Sequence, residues 1–428
     1  MRSLALGRAD CCHGLPLAVS KAPPRFSSVV YTQVSLNAAA VLREEIETLL
    51  CKQAIRVVPQ ADAQRGWYSR YFVVPKRGGG LRPIMDLRTL NKHLRVFKFR
   101  MLTLRQFLRA VGPGDWFTSI DLTDAYFHIA VHPDHRRYLR FAFEGVAYEW
   151  LVLPFGLSLA PRTFTKCVEA ALAPLRMRGV RVLSYLDDLA LIGRSRDEAL
   201  AHTGAVLSHI QRLGFSVNLK KSSLIPSQKL SFLGLEICSL TSRARLSERR
   251  ICAFRDCLAQ FQLARSLRFR QFLQLLGQMA SMIAVVPLGL LLMRAFQHWL
   301  LSHRLNASHH LQKKIVVTQG CMKALSPWRE PRLLCQGSPI GRVLFRVVVS
   351  TDASLTGWGA VCNGAAVKGA WSSAQRSLHI NCLELLAFHL SLKRFLSELR
   401  GKHVLVRTDN TTVVSYINRQ GARGHSCF

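Results

Sequence analysis

Two adjacent aspartates, Asp187 and Asp188, stand between two short apolar runs, and this arrangement restricts the local fold strongly. The runs are Val182–Leu183 with Tyr185 on one side and Leu189–Ile192 on the other. Apolar runs this short are typical of paired buried strands rather than of a helix. The two carboxylates would lie at the tip of a hairpin, where like charges repel unless a cation lies between them. A solvated Asp-Asp turn explains this stretch equally well, so other parts of the chain must decide.

The composition indicates several folded domains and a polyanionic partner. A chain of 428 residues predicts about two to four domains, and 49% hydrophobic residues are enough for buried cores. Lys and Arg number 59 against 25 Asp and Glu, which gives a net charge of +34. This charge is spread along the chain, so basic surfaces are expected on several domains, with nucleic acid as the partner. An anionic membrane surface is the alternative.

The cysteines and the N-terminus favour an intracellular protein, in the cytoplasm or nucleus, that is not secreted. Twelve Cys are scattered with no CxxC pair and no zinc-site spacing, as expected for reduced thiols. The first residues lack an apolar run long enough for a signal peptide. The apolar segment Met282–Met293 contains Pro287 and is shorter than the about 20 residues that span a bilayer. It is predicted to be a buried helix pair, with no membrane partner.

The first part of the chain predicts a disordered extension, a helix and a hairpin. Residues 1–40 are expected to be a disordered N-terminal extension. Helical spacing from Val41 to Leu50 then ends before a strand at Ile55–Val58. Residues 69–86 resemble a hairpin whose turn holds Lys76 and three glycines, with Arg82 beginning the return strand. Such a basic turn can fold over a triphosphate, although this stretch taken alone favours an ordinary solvated turn.

A second strand is predicted to end in a carboxylate. The segment from Phe117 predicts a strand ending at Asp121, followed by a short helix. Thr123 or Asp124 could simply cap that helix, but capping would not explain the carboxylate of Asp121 at the end of the strand. The turn Leu153–Gly156 leads into a helix at residues 162–175, whose N-terminus can face phosphate.

The middle of the chain predicts an antiparallel sheet with helices on one face. After the Asp187–Asp188 hairpin come a helix at 198–213, a turn and strand at 213–222 with Lys220 and Lys221, and a hairpin at 230–237. Residues 246–340 are predicted to be mostly helical, with helices at 249–276 and 279–301. Pro327, Pro331 and Gly337–Pro339 predict a linker.

Three carboxylates recur in the last part of the chain. Strands are predicted at 344–352, 357–362, 366–371 and 404–409, and the first and last of them end in Asp352 and Asp409. A helix at 381–399 carries Glu384. The sequence Asn381–Glu384 also fits a capping box with Glu at the third helical position, so Glu384 has a structural alternative.

These motifs resemble those of reverse transcriptases in order and spacing. The motifs are Ser119–Asp121 with Tyr126, Leu153–Gly156, Tyr185–Asp188, Lys220–Lys221 and Phe232–Gly234. Residues 345–420 resemble the start of a retroelement ribonuclease H domain. The residues within these motifs are most similar to those of DIRS-like retroelements, which use a tyrosine recombinase. They are more distantly similar to those of gypsy-like elements and retroviruses.

The resemblance implies an α+β right-hand polymerase followed by a C-terminally truncated, ribonuclease H-like α/β domain. The fingers and palm would occupy residues 41–245, with the fingers near 60–115 and the palm near 116–240. A helical thumb and connection would occupy 246–342, and the ribonuclease H-like domain 343–428. The chain would be an RNA-directed DNA polymerase whose partners are an RNA template, a DNA primer, RNA–DNA hybrid and dNTPs.

The resemblance also implies roles for particular residues in nucleotidyl transfer. Asp121 and Asp187 would hold two Mg²⁺, or Mn²⁺, about 4 Å apart, with Asp188 close by. Lys76 and Arg82 would bind the triphosphate, and Lys221, or Lys220, would donate a proton to pyrophosphate. The further assignments are Tyr126 as a bulky group that excludes the 2′-hydroxyl or else a core aromatic, Phe155 in the nucleotide site, and Phe232, Leu233 and Gly234 as the support of the primer end.

In the last domain, Asp352, Glu384 and Asp409 match three of the four ribonuclease H carboxylates, which bind two Mg²⁺. The sequence ends at Phe428, before the fourth, so ribonuclease H activity is expected to be impaired. The alternatives are a catalytically inactive, nucleic-acid-binding retroelement remnant and a basic surface-binding protein.

Overall fold

The computed structural model describes residues 14–19, 26, 28–75, 80–343 and 345–421. The strands are β1 (Ile55–Val57), β2 (Tyr71–Pro75), β3 (Leu81–Met85), β4 (Trp116–Asp121), β5 (Arg140–Phe143), β6 (Val146–Trp150), β7 (Arg181–Tyr185), β8 (Asp188–Gly193), β9 (Ser223–Ser227), β10 (Lys229–Phe232), β11 (Leu235–Cys238), β12 (Arg243–Leu246), β13 (Ser266–Arg268), β14 (Lys314–Val316), β15 (Ser338–Pro339), β16 (Val347–Ala353), β17 (Gly357–Cys362), β18 (Ala365–Ala370) and β19 (Val404–Arg407).

The α-helices are Leu36–Cys51, Gln60–Ala63, Arg88–Asn91, Leu104–Ala110, Pro133–Arg136, Ala160–Met177, Arg196–Arg212, Glu248–Ala259, Phe269–Met282, Gly289–Leu301, Gln319–Leu325, Pro331–Gln336, Ser373–Arg376, Ile380–Arg394, Leu396–Leu399 and Thr411–Asn418. Two 3₁₀ turns lie at Ala125–His128 and Ser326–Arg329. Among these helices, none combines the length and the apolar character needed to cross a membrane.

The chain forms two compact units. The first contains the residues up to Thr103 together with Trp116–Ser227, and the second contains Leu104–Asp115 together with the residues from Gln228 onward. The boundaries predicted from the sequence, at 41–245, 246–342 and 343–428, stay predictions.

An antiparallel sheet of order β7–β8–β4–β9 forms the centre of the first unit. Its strands are rich in β-branched and bulky residues, which suit a buried sheet. Leu189, Leu191 and Ile120 are at most 1% exposed. The helices Ala160–Met177 and Arg196–Arg212 pack against this sheet. The antiparallel sheet with packed helices expected from the sequence is therefore present.

The described part of the N-terminal extension is packed, which corrects the expectation of disorder for residues 1–40. Leu17 is 3% exposed, and the Leu15 N–H donates to the Ala130 carbonyl at 2.7 Å. Thr32 donates from its N–H to the Ala142 carbonyl at 2.8 Å. Short backbone contacts of this kind order a segment that has no sequence period of its own.

In the first unit, a buried ion pair supports the sheet β1–β6–β5. The side chains of Arg140 and Glu149 are 7% and 3% exposed, and the Arg140 Nη2 lies 2.9 Å from a Glu149 oxygen. Arg140 also donates to the carbonyls of Asp62 and Arg65. Arg56 approaches the other Glu149 oxygen at 2.6 Å. Each buried charge therefore has partners, as a buried pair requires.

Two of the helices predicted in the second unit, at 249–276 and at 279–301, are each interrupted in the structure. The predicted helix at 249–276 is wrong, because the chain leaves the helix after Ala259 and forms β13 before the next helix begins at Phe269. β13 pairs with β14, and Ala264 has a left-handed φ of 62° between the helix and the strand. The segment Met282–Met293 contains the end of one helix and the start of another, which agrees with the helix pair predicted from the sequence.

The predicted linker around Pro327 is also wrong. Trp328 is fully buried in the 3₁₀ turn Ser326–Arg329, and Leu334 in the following helix is 1% exposed. β15 pairs with β12 at Ser338, so this proline-rich stretch completes the sheet β10–β11–β12–β15. Proline here starts short helical turns, where its missing N–H costs no hydrogen bond.

The last part of the second unit is a sheet of order β18–β17–β16–β19, in which β19 runs parallel to β16. The helix Ile380–Arg394 packs on β16 and β17. The predicted helix at 381–399 is interrupted at Phe395, which lies between two helices. β19 ends at Arg407, so Asp409 follows the strand, and Asn410 caps the helix Thr411–Asn418.

Candidate active site

The hairpin that carries Asp187 and Asp188 places the two carboxylates differently. β7 ends at Tyr185, which pairs with Asp188 at the start of β8. Leu186 and Asp187 form the turn, and Leu186 adopts a left-handed φ of 53°. Only Asp187 is therefore at the tip, which corrects the expectation that both aspartates lie there. A non-glycine residue at positive φ is uncommon and occurs often at functional sites.

Asp121 joins these two aspartates at the same end of the sheet. In the pairing of β4 with β8, Asp121 lies opposite Asp188. The Leu122 N–H donates to the Asp187 carbonyl at 2.9 Å, which holds the turn beside the end of β4. The sequence expectation that the strand at Phe117 ends in a carboxylate next to the hairpin is correct.

The carboxylates interact electrostatically. Burial, together with the charges of Asp187 and Asp121, raises the pKa of Asp188 to about 6. Burial also raises the pKa of Asp121, and Asp187 adds to this effect while Lys221 opposes it. Clustered carboxylates with raised pKa values favour the approach of a cation.

Beside these carboxylates lies a cavity of about 690 Å³. Its lining joins negative, positive and aromatic side chains from separate parts of the first unit. The lining includes Glu45, Lys52, Arg82, Asp121, Asp124, Phe127, Phe155, Asp187, Asn218 and Lys221. Asp188 is not among the lining residues. A cavity that combines carboxylates with several cations suits a ligand that carries both a metal and phosphates.

The residues predicted to bind nucleotide are only partly brought together. Arg82 and Phe155 line the cavity, and Phe155 is 54% exposed. Tyr126 is 9% exposed and packs against Phe155 and Phe164 with ring centroids 5.0 and 5.8 Å away, so the core-aromatic alternative describes its surroundings. Lys76 lies outside the described residues.

The turn Leu153–Gly156, which presents Phe155, is held by an asparagine that the sequence analysis did not single out. The Asn91 side-chain amide donates to the Gly156 carbonyl at 2.9 Å, and its oxygen accepts from the Ser158 N–H at 2.8 Å. Asn91 therefore holds the C-terminal end of the turn with two hydrogen bonds.

Lys220 and Lys221 lie in a turn, so the strand predicted at 213–222 is wrong and the strand begins at Ser223. Of the two lysines, Lys221 lines the cavity. Asn218 was missed: its N–H donates to the Asp121 carbonyl at 2.8 Å, and its side chain hydrogen-bonds the Asp121 carboxyl and lowers the pKa of that group. An asparagine in a turn gives no sequence signal for this role.

The side chain of Asp124 does not cap the short helix that follows it, so capping does not explain this residue. Its side chain makes no capping hydrogen bond, and its φ of 49° is left-handed. The carboxylate instead pairs with Lys52 at 2.8 Å. Lys52 was missed because it lies far from Asp124 in sequence, just beyond the helix Leu36–Cys51.

The residues predicted to support the primer end form a tight turn in the second unit. Phe232 ends β10, and Leu233 and Gly234 connect it to β11 with φ of 52° and 73°. Phe232 is buried and packs against Phe107 with ring centroids 4.8 Å apart. Two consecutive positive φ angles are typical of the two-residue hairpin turn.

Asp352, Glu384 and Asp409 converge in the last sheet of the second unit. One oxygen from each carboxylate lies within 4.8 Å of the others. Glu384 is 4% exposed, and its Oε2 is buried without a hydrogen-bond partner. Burial, then Asp352 and Asp409, raises the pKa of Glu384. A buried carboxylate oxygen without a donor, next to two further carboxylates, fits a divalent cation.

The capping-box alternative for Glu384 is wrong. The N-cap of its helix is His379, whose ring nitrogen accepts from the Asn381 N–H at 3.2 Å. Glu384 is therefore one turn inside the helix, at a buried position. Within the described ranges, no other group of three His, Cys, Asp or Glu residues is as close as this one.

Comparison with known proteins matches a family model to the part of the chain that contains Asp121, Asp187 and Asp188. Residues 74–237 match the family described as "Reverse transcriptase (RNA-dependent DNA polymerase)". The Gag-Pol polyprotein of Walleye dermal sarcoma virus is 30% identical over 210 residues, which cover 48% of this chain and 12% of the polyprotein. The enzymatic polyprotein of Cauliflower mosaic virus (strain CM-1841) is 25% identical over 364 residues, covering 80% of this chain and 50% of that protein. The chain thus spans half or less of the length of these relatives.

The fold agrees with this comparison. The structure of the foamy viral protease-reverse transcriptase in complex with double-stranded DNA has a TM-score of 0.65 and is 18% identical, covering 94% of this chain and 68% of the other. The chain therefore has the mixed helix and sheet architecture of a polymerase. Residues 74–237 form a reverse transcriptase domain, the kind found in retroviral and retroelement polyproteins.

Proposed function

We propose that this chain is an RNA-directed DNA polymerase that extends a DNA primer on an RNA template from dNTPs. The observation that carries the proposal is the joint lining of one cavity by Asp121, Asp187, Arg82 and Lys221 within the reverse transcriptase domain. Carboxylates and cations on one cavity suit the transfer of a nucleotide, in which negative charge must be neutralised and held in place.

Asp121, Asp187 and Asp188 are the residues that would hold the divalent metal ions. Their mutual repulsion and the raised pKa of Asp188 support this assignment, since a cation relieves both. When bound, Mg²⁺ or Mn²⁺ would neutralise charge on the attacking oxygen and on the leaving pyrophosphate. Asn218 and the Ser222 hydroxyl, which accepts from the Asp121 N–H at 3.0 Å, fix the end of β4 for this task.

Arg82, Lys76, Lys221, Phe155 and Tyr126 would interact with the nucleotide. Arg82 is exposed in the cavity wall and would pair with the triphosphate, with Lys76 in the same role. Lys221 would donate a proton to the leaving pyrophosphate. Phe155 would contact the sugar and base, and Tyr126 would limit space near the 2′ position through its contact with Phe155.

Primer extension tests this function directly. Purified protein with poly(rA)·oligo(dT), Mg²⁺ and dTTP is expected to extend the primer, and Asp187→Asn is expected to abolish extension while binding of the primer–template is kept. Asp256→Asn, which removes an exposed carboxylate on the helix Glu248–Ala259, is the matched control and should extend normally. Equal extension by Asp187→Asn and the parent would overturn the metal assignment.

If neither the parent nor the variant extends a primer but both bind it tightly, the chain is a nucleic-acid-binding remnant. The net charge of +34 supports a nucleic-acid partner in either case. Binding is expected to weaken steeply as salt is raised from 50 to 200 mM, because basic groups that contact phosphates release counterions. A flat salt response would contradict the polyanion partner.

We also propose that Asp352, Glu384 and Asp409 form a ribonuclease H-type metal site that acts on RNA in RNA–DNA hybrids. The unpaired, buried Glu384 oxygen among three carboxylates supports it. The reduced cleavage expected from the sequence stays a prediction, and incubation of a labelled RNA–DNA hybrid with Mn²⁺ tests it. The DIRS-like subgroup and the cytoplasmic or nuclear location also remain proposals.

A further inference from the structure

The turn Leu233–Gly234 rests on the side chain of Arg250. A Cβ atom added to Gly234 would lie 2.7 Å from the Arg250 Cδ, so the arginine stem packs directly against the glycine. The Gly234 carbonyl also accepts from the Ser247 N–H at 3.2 Å. Gly234 has a φ of 73°, and only glycine combines this angle with so close a contact at little cost.

The guanidinium of Arg250 joins this turn to a helix. Its Nη1 donates to the Leu233 carbonyl at 3.5 Å, and its Nη2 donates to the Ser281 carbonyl at 3.2 Å and to the Ser281 hydroxyl at 2.6 Å. Ser281 is in the last turn of the helix Phe269–Met282. One side chain therefore connects the β10–β11 hairpin with the C-terminal end of that helix.

The side chain of Arg250 is held in place by partial burial and by its hydrogen bonds. It is half-buried, and burial lowers the pKa of its guanidinium. Its hydrogen bonds to Leu233 and Ser281 go to carbonyl and hydroxyl oxygens of the protein. Charge-assisted hydrogen bonds of this kind are stronger than neutral ones, and a planar guanidinium holds its acceptors in a fixed geometry. Its neighbour Arg249 has the same charge but is exposed, so the two residues differ in contacts and not in charge.

We propose that Arg250 is a positioning residue that fixes the Leu233–Gly234 turn to Ser281, so that the turn and the helix Phe269–Met282 hold the primer end as one body. The inference rests on the proposed polymerase function and on the role that the resemblance to reverse transcriptases implies for this turn, which is to support the primer end. Leu233 stays in a left-handed conformation that costs about 1 kcal/mol for a residue with a Cβ, and Arg250 stabilises that conformation through the Leu233 carbonyl.

The consequence is specific to the primer. A turn that moves freely relative to the helix would release the primer end more often between additions, whereas the nucleotide cavity is lined by residues of the first unit and would be unaffected. Loss of Arg250 should therefore shorten the product made in each binding event without raising the KM for dNTP.

The test compares Arg250→Met with Arg249→Met in the full chain. The readout is the mean number of nucleotides added in one binding event, measured on a labelled primer–template with excess unlabelled trap, together with the KM for dTTP. Arg250→Met should shorten the product at least about fivefold, since a charge-assisted hydrogen bond is lost. Arg249→Met should stay within about twofold of the parent, and the dTTP KM should be unchanged in both.

Two further variants keep the test decisive. Arg250→Lys retains the charge and the stem but cannot reach Leu233 and Ser281 together, so it should also shorten the product at least about fivefold. It provides the test if Arg250→Met does not fold. Ser281→Ala removes one acceptor and should give a smaller shortening. If the parent extends and Arg250→Lys matches Arg249→Met, this inference alone is overturned. If the parent does not extend at all, the proposed function is overturned and the inference with it.

Discussion

Asp121 and Asp188 are paired residues on neighbouring antiparallel strands, directly opposite each other where β4 ends and β8 begins. Like charges in directly opposed positions destabilise a sheet. Asp187 adds a third negative charge from the turn. Burial raises the pKa of Asp188, and the charges of Asp187 and Asp121 raise it further. This end of the sheet therefore favours cation binding at the expense of its own stability.

Asp188→Asn should stabilise the protein at neutral pH in the presence of EDTA. The pKa of Asp188 rises from 3.8 to about 6, so the folded state binds its proton more tightly than the unfolded chain. Ionisation of Asp188 therefore lowers the stability of the folded state as the pH rises from about 4 to about 6, and the full penalty is present above that range. The variant should gain about 1–2 kcal/mol in the free energy of unfolding at pH 7.5, after allowance for solvent screening.

Urea unfolding at pH 4 and pH 7.5 checks this prediction. The gain should nearly vanish at pH 4, where Asp188 is protonated in the folded parent. Asp256→Asn changes an exposed carboxylate and should show no comparable difference between the two pH values. An equal gain by Asp188→Asn at both pH values would mean that the charge on Asp188 is not the cause of the penalty.

Lys52→Met should weaken nucleotide binding more than it weakens the fold. The Lys52–Asp124 pair is 2.8 Å long but 43% and 31% exposed, so its loss should cost less than about 1 kcal/mol of stability. The Asp124 carboxylate would then be unpaired in a cavity that already contains Asp121 and Asp187. Its repulsion of a triphosphate should raise the KM for dTTP several-fold, about 1 kcal/mol in binding free energy.

Steady-state extension kinetics measure the change in KM. The double variant Lys52→Met with Asp124→Asn removes both charges and should restore the KM toward that of the parent. If the double variant binds dTTP as weakly as Lys52→Met, the charge of Asp124 is not what opposes binding.

The sequence predicted local elements well where an apolar period was clear. β17 has the predicted bounds at Gly357–Cys362, and the helix after Ser195 and the hairpin around Asp187 lie where the pattern placed them. The carboxylates were predictable because each stands beside a strongly apolar strand or on a helix. These residues are the part of the site that local pattern encodes.

The failures have a common physical cause, which is tertiary contact between segments far apart in sequence. Lys52 reaches Asp124, and Asn218 reaches Asp121, through pairings that no local period reports. The proline-rich stretch around Trp328 was predicted to be a linker, although burial of that ring overrides the turn signal of its prolines. Tertiary packing commonly overrides local propensity in this way.

Glu384→Gln should weaken metal binding in the C-terminal cluster at least about tenfold, because it removes a charged ligand from a site of three carboxylates. The measurement is a calorimetric Mn²⁺ titration that compares proteins with and without Glu384→Gln. Both carry Asp187→Asn, which weakens metal binding at the Asp121, Asp187 and Asp188 site. Because the pKa of Glu384 is raised, Mn²⁺ affinity should also fall as the pH is lowered, beginning above the ordinary pKa of a glutamate.

Glu398→Gln is the matched control for the metal titration, since Glu398 is exposed and outside the cluster. It should leave Mn²⁺ binding unchanged. If Glu384→Gln and Glu398→Gln bind Mn²⁺ equally, the cluster is not a metal site.

Two glutamates at the same hairpin should differ sharply when they are changed to glutamine. Glu149 is in β6 with a side chain 3% exposed, and it pairs with Arg140, which is 7% exposed. Glu149→Gln would leave a buried guanidinium without its counter-charge, which should lower the free energy of unfolding by about 3 kcal/mol or more. Glu144, in the β5–β6 turn, pairs with Arg43 at 48% and 51% exposure, so Glu144→Gln should cost less than about 1 kcal/mol.

Urea unfolding of both variants at pH 7.5 gives the comparison under one set of conditions. Because Arg140 also donates to the carbonyls of Asp62 and Arg65, Glu149→Gln should release the loop around Gly66 as well, which hydrogen exchange of its amides would detect. Equal destabilisation by the two substitutions would show that burial does not set the strength of the Arg140–Glu149 pair. A large effect of Glu149→Gln with no increase in exchange near Gly66 would assign the loss to the sheet alone.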